Sequence, residues 1–138
     1  MTKVTITLLI FLIVLSACST ARITPEQASY FKELTEKEYS NVFDRSEMGS
    51  VWKRAKEFWK SYLPVERVSI NKFKTHESVK TEITYVILRT PLPDGKYRVK
   101  ITANLRNPLM SDTAKRNTAI FNEYINTGIL KYPKVVSY

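Results

Sequence analysis

The chain has 138 residues, with 22 Lys and Arg against 13 Asp and Glu, a net charge of +9, one cysteine and one histidine. This length and a hydrophobic content of 43% suit one folded domain, and they exclude both a wholly disordered chain and a multidomain enzyme. A single cysteine excludes an intrachain disulfide, and one cysteine with one histidine is too few for a Cys/His zinc site.

The N-terminus has the pattern of a signal peptide. Lys3 supplies a positive charge, and residues 4–15 form an apolar run interrupted only by Thr5 and Thr7. A run of this length is too short to span a bilayer comfortably and matches the apolar region of an export signal.

The segment Leu15-Ser16-Ala17-Cys18 resembles the lipobox of bacterial lipoproteins. The resemblance implies a diacylglycerol on the Cys18 thiol, cleavage between Ala17 and Cys18, and acylation of the new amino terminus. Several acyl chains anchor a protein stably, at about 0.8 kcal/mol per buried CH₂. An Asp directly after the cysteine would resemble the signal that retains lipoproteins in the inner membrane, but this position holds Ser19. We therefore expect a periplasm-facing anchor in the outer membrane, or an anchor in the single membrane of a Gram-positive host. An ordinary secreted or single-span protein is the alternative.

We therefore divide the chain into a signal peptide (1–17), a lipid-anchored tether (18–45) and a compact domain (46–138). Residues 19–29 lack periodicity and read as a spacer. Within the tether, the spacing of Tyr30, Phe31, Leu34 and Tyr39 is compatible with a short helix.

The clearest element is a helix over residues 46–63, capped by Asp44 with Glu47 or by Ser46, and ended by Pro64. Its apolar residues recur every three or four positions and form a broad aromatic stripe: Met48, Val51, Trp52, Ala55, Phe58, Trp59 and Tyr62. Such a stripe indicates a helix packed on a sheet. Exposed tryptophans would instead form a platform for a sugar or a base.

Three strands follow, over residues 67–73, 79–88 and 96–106, because the apolar period changes to two. Pro93-Asp94-Gly95 predicts a tight turn between the last two strands. Ser111 or Asp112 caps a further helix, which ends before Gly128 and has a buried stripe of Ala114, Thr118, Phe121 and Ile125. Residues 129–138 either add an edge strand to the sheet or form a C-terminal tail without regular structure. The fold class is α+β, with a small antiparallel sheet of three or four strands packed on two helices as a two-layer sandwich.

Basic residues concentrate in the second half of the chain. Residues 18–66 hold eight basic and eight acidic side chains, whereas residues 67–138 hold thirteen basic and five acidic ones. On the sheet face opposite the core, alternation places a candidate interaction face of Lys80, Val86, Leu88, Arg98, Lys100 and Arg106. The partners that such a face fits at an envelope are an acidic protein, anionic lipid or lipopolysaccharide. Nucleic acid is disfavoured for an exported protein, and a lysozyme inhibitor is disfavoured because that target is itself cationic.

Residues 48–106, with the string Asp94-Gly95-Lys96-Tyr97-Arg98, also resemble an uncharacterised domain family with a TATA-binding-protein-like fold found in exported bacterial proteins. The resemblance implies the fold and no activity.

The sequence contains no nucleophile motif, phosphate-binding glycine loop or acidic metal cluster. His76 lies in a predicted turn, where a solvated residue is expected rather than a general base. The pairs Glu57 with Glu66 and Glu82 with Asp94 remain open as paired carboxylates, although acidic pairs are common by chance.

These observations favour a non-enzymatic envelope lipoprotein, acylated at Cys18 and without any other cofactor, whose basic domain is an interaction or structural module. The alternatives are a component of a DNA-transfer or secretion apparatus, including an exclusion lipoprotein, and a small hydrolase of envelope polymers. The sequence leaves the oligomeric state open.

Overall fold

A computed structural model describes residues 23–62, 65–75 and 81–132, with the backbone alone for 65–68. Cys18 and the signal-peptide segment lie outside the described residues, as do His76, Lys80 and the last six residues. The elements in chain order are α1 (Pro25–Glu36), β1 (Val42–Phe43), α2 (Met48–Tyr62), β2 (Val65–Ser69), β3 (Lys72–Thr75), β4 (Ile83–Pro91), β5 (Tyr97–Leu105), a 3₁₀ turn (Pro108–Met110) and α3 (Ser111–Thr127).

The strands form one antiparallel sheet in the order β1-β5-β4-β3-β2. Four strands are four residues or longer, and the edge strand β1 has only two. Helices pack against one face of this sheet. The predicted α+β two-layer class is therefore confirmed, with a third helix, α1, joining the two expected ones.

The core lies between the helices and the inner face of β4 and β5. The predicted stripe of α2 is buried there, and Phe58 and Trp59 are both fully buried. Phe58 makes an edge-on contact with Phe121 of α3, with ring centroids 5.4 Å apart, and Trp59 contacts Tyr85 of β4 at 6.3 Å. Burying each of these rings contributes roughly 2–3 kcal/mol. Both tryptophans of α2 are therefore core residues, and the platform of exposed tryptophans is wrong.

Helix α1 belongs to this packed unit, although the tether was expected to extend to residue 45. Phe31 and Leu34 of α1 are buried, and the helix packs on α3. Its start is set by a capping box in which Thr24 Oγ1 accepts from the Gln27 N–H and Gln27 Oε1 accepts from the Thr24 N–H, with Pro25 in the first turn. The short helix predicted around Tyr30 is confirmed, and the compact unit begins near residue 24.

The single strand predicted over residues 67–73 is wrong. The chain instead reverses at Ile70 and Asn71, so that β2 and β3 form a hairpin. Ile70 continued the apolar alternation of the sequence, yet it lies in the turn with 64% of its surface exposed. Lys72 and Lys74 consequently lie on β3, beside β4.

The turn predicted between the last two strands is confirmed. Gly95 has φ 80°, and its N–H donates to the Leu92 carbonyl at 3.0 Å. Gly128 ends α3 in the left-handed conformation, as predicted. The predicted caps of α3 are wrong, because Asn107 caps the preceding 3₁₀ turn and α3 itself has no side-chain cap.

The described start of the C-terminal segment, residues 129–132, contains no strand. Tyr132 packs edge-on against Tyr30 and Phe31 of α1, and its hydroxyl donates to Glu26 at 3.0 Å. In its described part, this segment therefore runs along the helix layer rather than over the sheet.

Candidate functional site

The candidate site is the sheet face opposite the helices, which we call the open face. Strands β3, β4 and β5 build it, because alternate residues of an extended chain point to opposite sides of a sheet. Where Tyr85 and Ile87 point into the core, Val86 and Leu88 point outward, and no described helix covers them.

The register places apolar and basic residues in rows across the open face. In one row Leu88 of β4 lies between Lys72 of β3 and Lys100 of β5. With strands about 4.8 Å apart, the two lysine Cα atoms of this row are about 10 Å apart. The neighbouring row places Val86 between Lys74 and Thr102.

Two further basic residues complete the face. Arg98 is paired in register with Thr90 on one side and with Val42 of the edge strand on the other. Arg106 and Lys74 line the same shallow depression of about 260 Å³, together with Thr84 and Asn104. The cations therefore surround a small apolar centre in which Leu88 is 41% exposed.

The open face carries little neutralising charge. Among the described residues, no carboxylate lies within ion-pair distance of Lys72, Arg98 or Lys100. Glu82 is the acidic residue that directly precedes β4, and its carboxylate accepts a hydrogen bond from Asn107 at 3.3 Å. The described side chains of this face therefore carry more positive than negative charge.

The structure brings together five of the six residues of the predicted interaction face: Val86, Leu88, Arg98, Lys100 and Arg106. Lys80 lies outside the described residues, as do Ala17 and Cys18. Lys72 and Lys74 were missed because the hairpin was missed. Once β3 is paired with β4, the alternation about Phe73 would have assigned both lysines to this face.

The described residues do not support the carboxylate pairs left open by the sequence. Glu82 precedes β4 and Asp94 follows it, so the length of a nine-residue strand, roughly 27 Å, separates them. Glu57 lies 3.9 Å from Lys53 of its own helix, and the Glu66 side chain lies outside the description. Within the described ranges no group of three or more His, Cys, Asp or Glu side chains is placed to hold a metal ion.

The buried phenol of Tyr85 belongs to the core rather than to a surface site. Tyr85 is fully buried, and this burial raises its pKa, although a hydrogen bond from Asn117 Nδ2 at 2.9 Å and the nearby Arg116 act in the opposite direction. Burial likewise lowers the pKa of the Arg116 guanidinium. We interpret this cluster as the polar join between β4 and α3.

A second concave surface lies on the other side of the sheet, between α2 and the β2–β3 hairpin. It has a volume of about 600 Å³ and is lined by Trp52, Lys56, Trp59, Lys60, Ile70, Phe73 and Arg89. The sequence pattern did not predict this cleft. Arg89 alternates in phase with Ile83, Tyr85 and Ile87, which face the core. A charged residue at such a core-facing position was the sequence feature that could have indicated the cleft.

Fold and site together define a two-layer α+β protein with helices on one face and a basic open sheet on the other. No protein family model matches the chain, and no curated protein or solved structure matches it either. The two resemblances, to bacterial lipoproteins and to the family with a TATA-binding-protein-like fold, stay predictions. In the part of the chain that the structure describes, which excludes residues 1–22, no helix is long and apolar enough to cross a membrane.

Proposed function

We propose that this protein is a non-enzymatic lipoprotein of the bacterial cell envelope, acylated at Cys18, whose open face binds an acidic patch on a partner protein. The observation that carries the proposal is the row in which Leu88 lies exposed between Lys72 and Lys100. The lipobox supports the anchor, and the absence of a catalytic motif from the sequence supports a binding role.

The apolar centre of the open face favours a protein partner. Protein interfaces combine a desolvated apolar core with a polar or charged rim, and Val86 with Leu88 inside a ring of cations has that arrangement. A purely polar polyanion such as nucleic acid would use the charges and leave Leu88 without a partner.

The position of the anchor also favours a protein over the lipid surface. Helix α1 is in the helix layer, and Pro25 lies seven positions after Cys18. Even when fully extended, seven residues span at most about 25 Å. We propose that this short attachment keeps the helix layer nearer to the membrane, so that the open face points away from it.

The anchor is tested first, by intact mass and membrane fractionation of the wild-type chain and Cys18→Ser in a Gram-negative host. We expect a cleaved chain with a lipid-sized mass increment, and the loss of both this increment and membrane residence in the variant. An unmodified or uncleaved wild-type chain would contradict the lipoprotein assignment and leave the open face to be tested alone.

The open face is tested in cells with a photo-crosslinking amino acid at Leu88, in the full chain. We expect one discrete adduct with an acidic envelope protein. This adduct should be lost in Arg98→Glu/Lys100→Glu, because reversing two charges opposes an acidic patch. The matched control is Lys53→Glu/Lys115→Glu, which makes the same change of charge on exposed residues of the helix layer and should retain the adduct.

Direct binding then separates the possible partners. The partner that the crosslink identifies, purified without crosslinking, should bind the wild-type chain at least tenfold more tightly than the Arg98→Glu/Lys100→Glu variant. The proposal of a protein partner would be overturned if the adduct persisted in the Arg98→Glu/Lys100→Glu variant. It would also be overturned if Leu88 crosslinked only to lipid and the chain bound phosphatidylglycerol vesicles.

A further inference from the structure

The cleft between α2 and the β2–β3 hairpin has the size and walls of a small-molecule site. Its volume of about 600 Å³ falls within the usual range for such sites, roughly 300–1,000 Å³. Half-buried Phe73 and the 5% of the Trp52 surface that stays accessible form adjoining walls, with ring centroids 5.3 Å apart and planes tilted by 47°. Ile70, exposed in the hairpin turn, forms the rim.

The charged groups that line this cleft in the described part of the chain are all positive. Lys56, Lys60 and Arg89 line it, and no carboxylate does so among the described residues. Lys56 and Lys60 are four positions apart on α2, a spacing at which like charges destabilise a helix. The described ion pair within α2 joins Lys53 to Glu57, so it leaves both cleft lysines unneutralised.

The contacts that hold Arg89 in the described structure include no counterion. Its guanidinium lies 4.8 Å from the centre of the Trp52 ring and 5.8 Å from that of Tyr97. Its Nε and Nη2 groups donate to Asn71 Oδ1, at 2.9 and 2.6 Å. Because this acceptor is a neutral amide, Arg89 keeps its full positive charge and presents it in a fixed orientation.

Trp59 adds an unused donor. Its side chain lines the cleft and is fully buried, and its indole N–H has no acceptor among the described residues. A buried donor without a partner is costly, and such groups are rare in native structures. Because this nitrogen lies beneath the accessible surface of the cleft, a bound molecule could accept from it only if a neighbouring side chain moved.

We infer that the cleft binds a small organic anion, whose flat apolar body packs against Trp52 and Phe73 and whose carboxylate or phosphate group pairs with Arg89, Lys56 and Lys60. The cations select the charge of the ligand, and the aromatic walls select its shape. The cleft and the open face lie on opposite sides of the sheet, so this inference does not depend on the proposed function.

The test compares three naphthalene probes that differ in one group. Titrations of the full chain, followed by tryptophan fluorescence and calorimetry, would use 1-naphthaleneacetate, its neutral amide 1-naphthaleneacetamide, and 1-naphthyl phosphate. We expect the better of the two anions to bind at least tenfold more tightly than the amide. The order of acetate and phosphate identifies the preferred anionic group.

Matched variants assign the effect to the cleft. Lys56→Gln/Lys60→Gln should weaken anion binding by about tenfold, because an exposed ion pair contributes up to about a fivefold factor, and it should leave binding of the amide unchanged. Lys53→Gln/Lys115→Gln removes the same charge elsewhere and should change neither. Equal affinity for anion and amide, equal effects of the two double variants, or no saturable binding in the millimolar range would overturn the inference. Unchanged circular dichroism of each variant shows that the fold is retained.

Discussion

Arg54 of α2 provides the sharpest test of how the helix layer is held together. Its Nε and Nη2 groups both donate to the carbonyl oxygen of Ile125 in α3, at 3.0 and 2.6 Å. Ile125 lies in the last turn of α3, where carbonyls lack partners within the helix. The guanidinium therefore joins two helices and places a positive charge at the negative end of the α3 dipole.

Arg54→Met should lower the free energy of unfolding by about 2–3 kcal/mol. A hydrogen bond to a charged group contributes roughly 1.5–3 kcal/mol, and because both donors share one acceptor, we count this contribution once. The charge at the helix end adds about 0.3–1 kcal/mol. Methionine keeps an apolar stem of similar length, so packing along α2 changes little.

Urea unfolding of the full chain in mild detergent, followed by circular dichroism, measures this loss. With a slope of about 1.5 kcal/mol per molar urea, a loss of 2 kcal/mol lowers the midpoint by about 1.3 M. Arg54→Lys retains the charge but not the paired donors, and should lose about half as much.

The control is Lys53→Met, the neighbouring residue. Its ion pair with Glu57 is exposed and long, so its removal should cost less than about 0.5 kcal/mol. If Arg54→Met and Lys53→Met were equally stable, the bridge between α2 and α3 would contribute nothing and the reasoning would be refuted.

Two further predictions concern α1 and the buried phenol. Thr24→Ala removes half of the capping box and should lower the free energy of unfolding of the whole domain by about 1 kcal/mol. If thermal unfolding followed by circular dichroism showed only a small loss of helical signal and an unchanged midpoint, the placement of α1 within the domain would be contradicted. Burial raises the pKa of Tyr85, so the folded chain keeps this proton at pH values where the unfolded phenol, with a pKa near 10, loses it. The contribution of Tyr85 to the free energy of unfolding is therefore complete below the unfolded pKa and is lost as the pH rises through the raised, folded pKa. In urea titrations from about pH 8 to 11, the free energy of unfolding of Tyr85→Phe should fall less steeply with pH than that of the wild-type chain. Equal slopes of the two chains would refute the assignment.

The sequence predicts those helices and strands that bury one of their two sides, because burial on one side gives their apolar residues a regular spacing. The stripe of α2 and the alternation about Tyr85 and Val99 reflect contact with one core, so period and position agree with the structure. The open face follows from the same alternation, which is why Leu88 and Lys100 were identified in advance.

What the sequence does not predict depends on local chemistry that a hydrophobic pattern does not record. Ile70 continued an alternation but occupies a turn, where its apolar side chain marks the cleft rim instead of a strand. The start of α1 depends on two hydrogen bonds between Thr24 and Gln27. The cleft depends on Arg89 meeting Trp52 and Asn71, which are far apart in sequence and come together only after the hairpin pairs with β4.

The position of β1 at the far edge of the sheet determines when the fold can be completed during synthesis. Val42 pairs with Arg98, and Asn41 donates to Asn122, 81 positions further along the chain. The ribosome releases α1 and β1 first, but their docking surfaces on β5 and α3 emerge last. Helix α1 and strand β1 therefore remain accessible to chaperones and proteases until β5 and α3 have been made, and a premature stop before α3 would release a product whose Phe31 and Leu34 have no core to join.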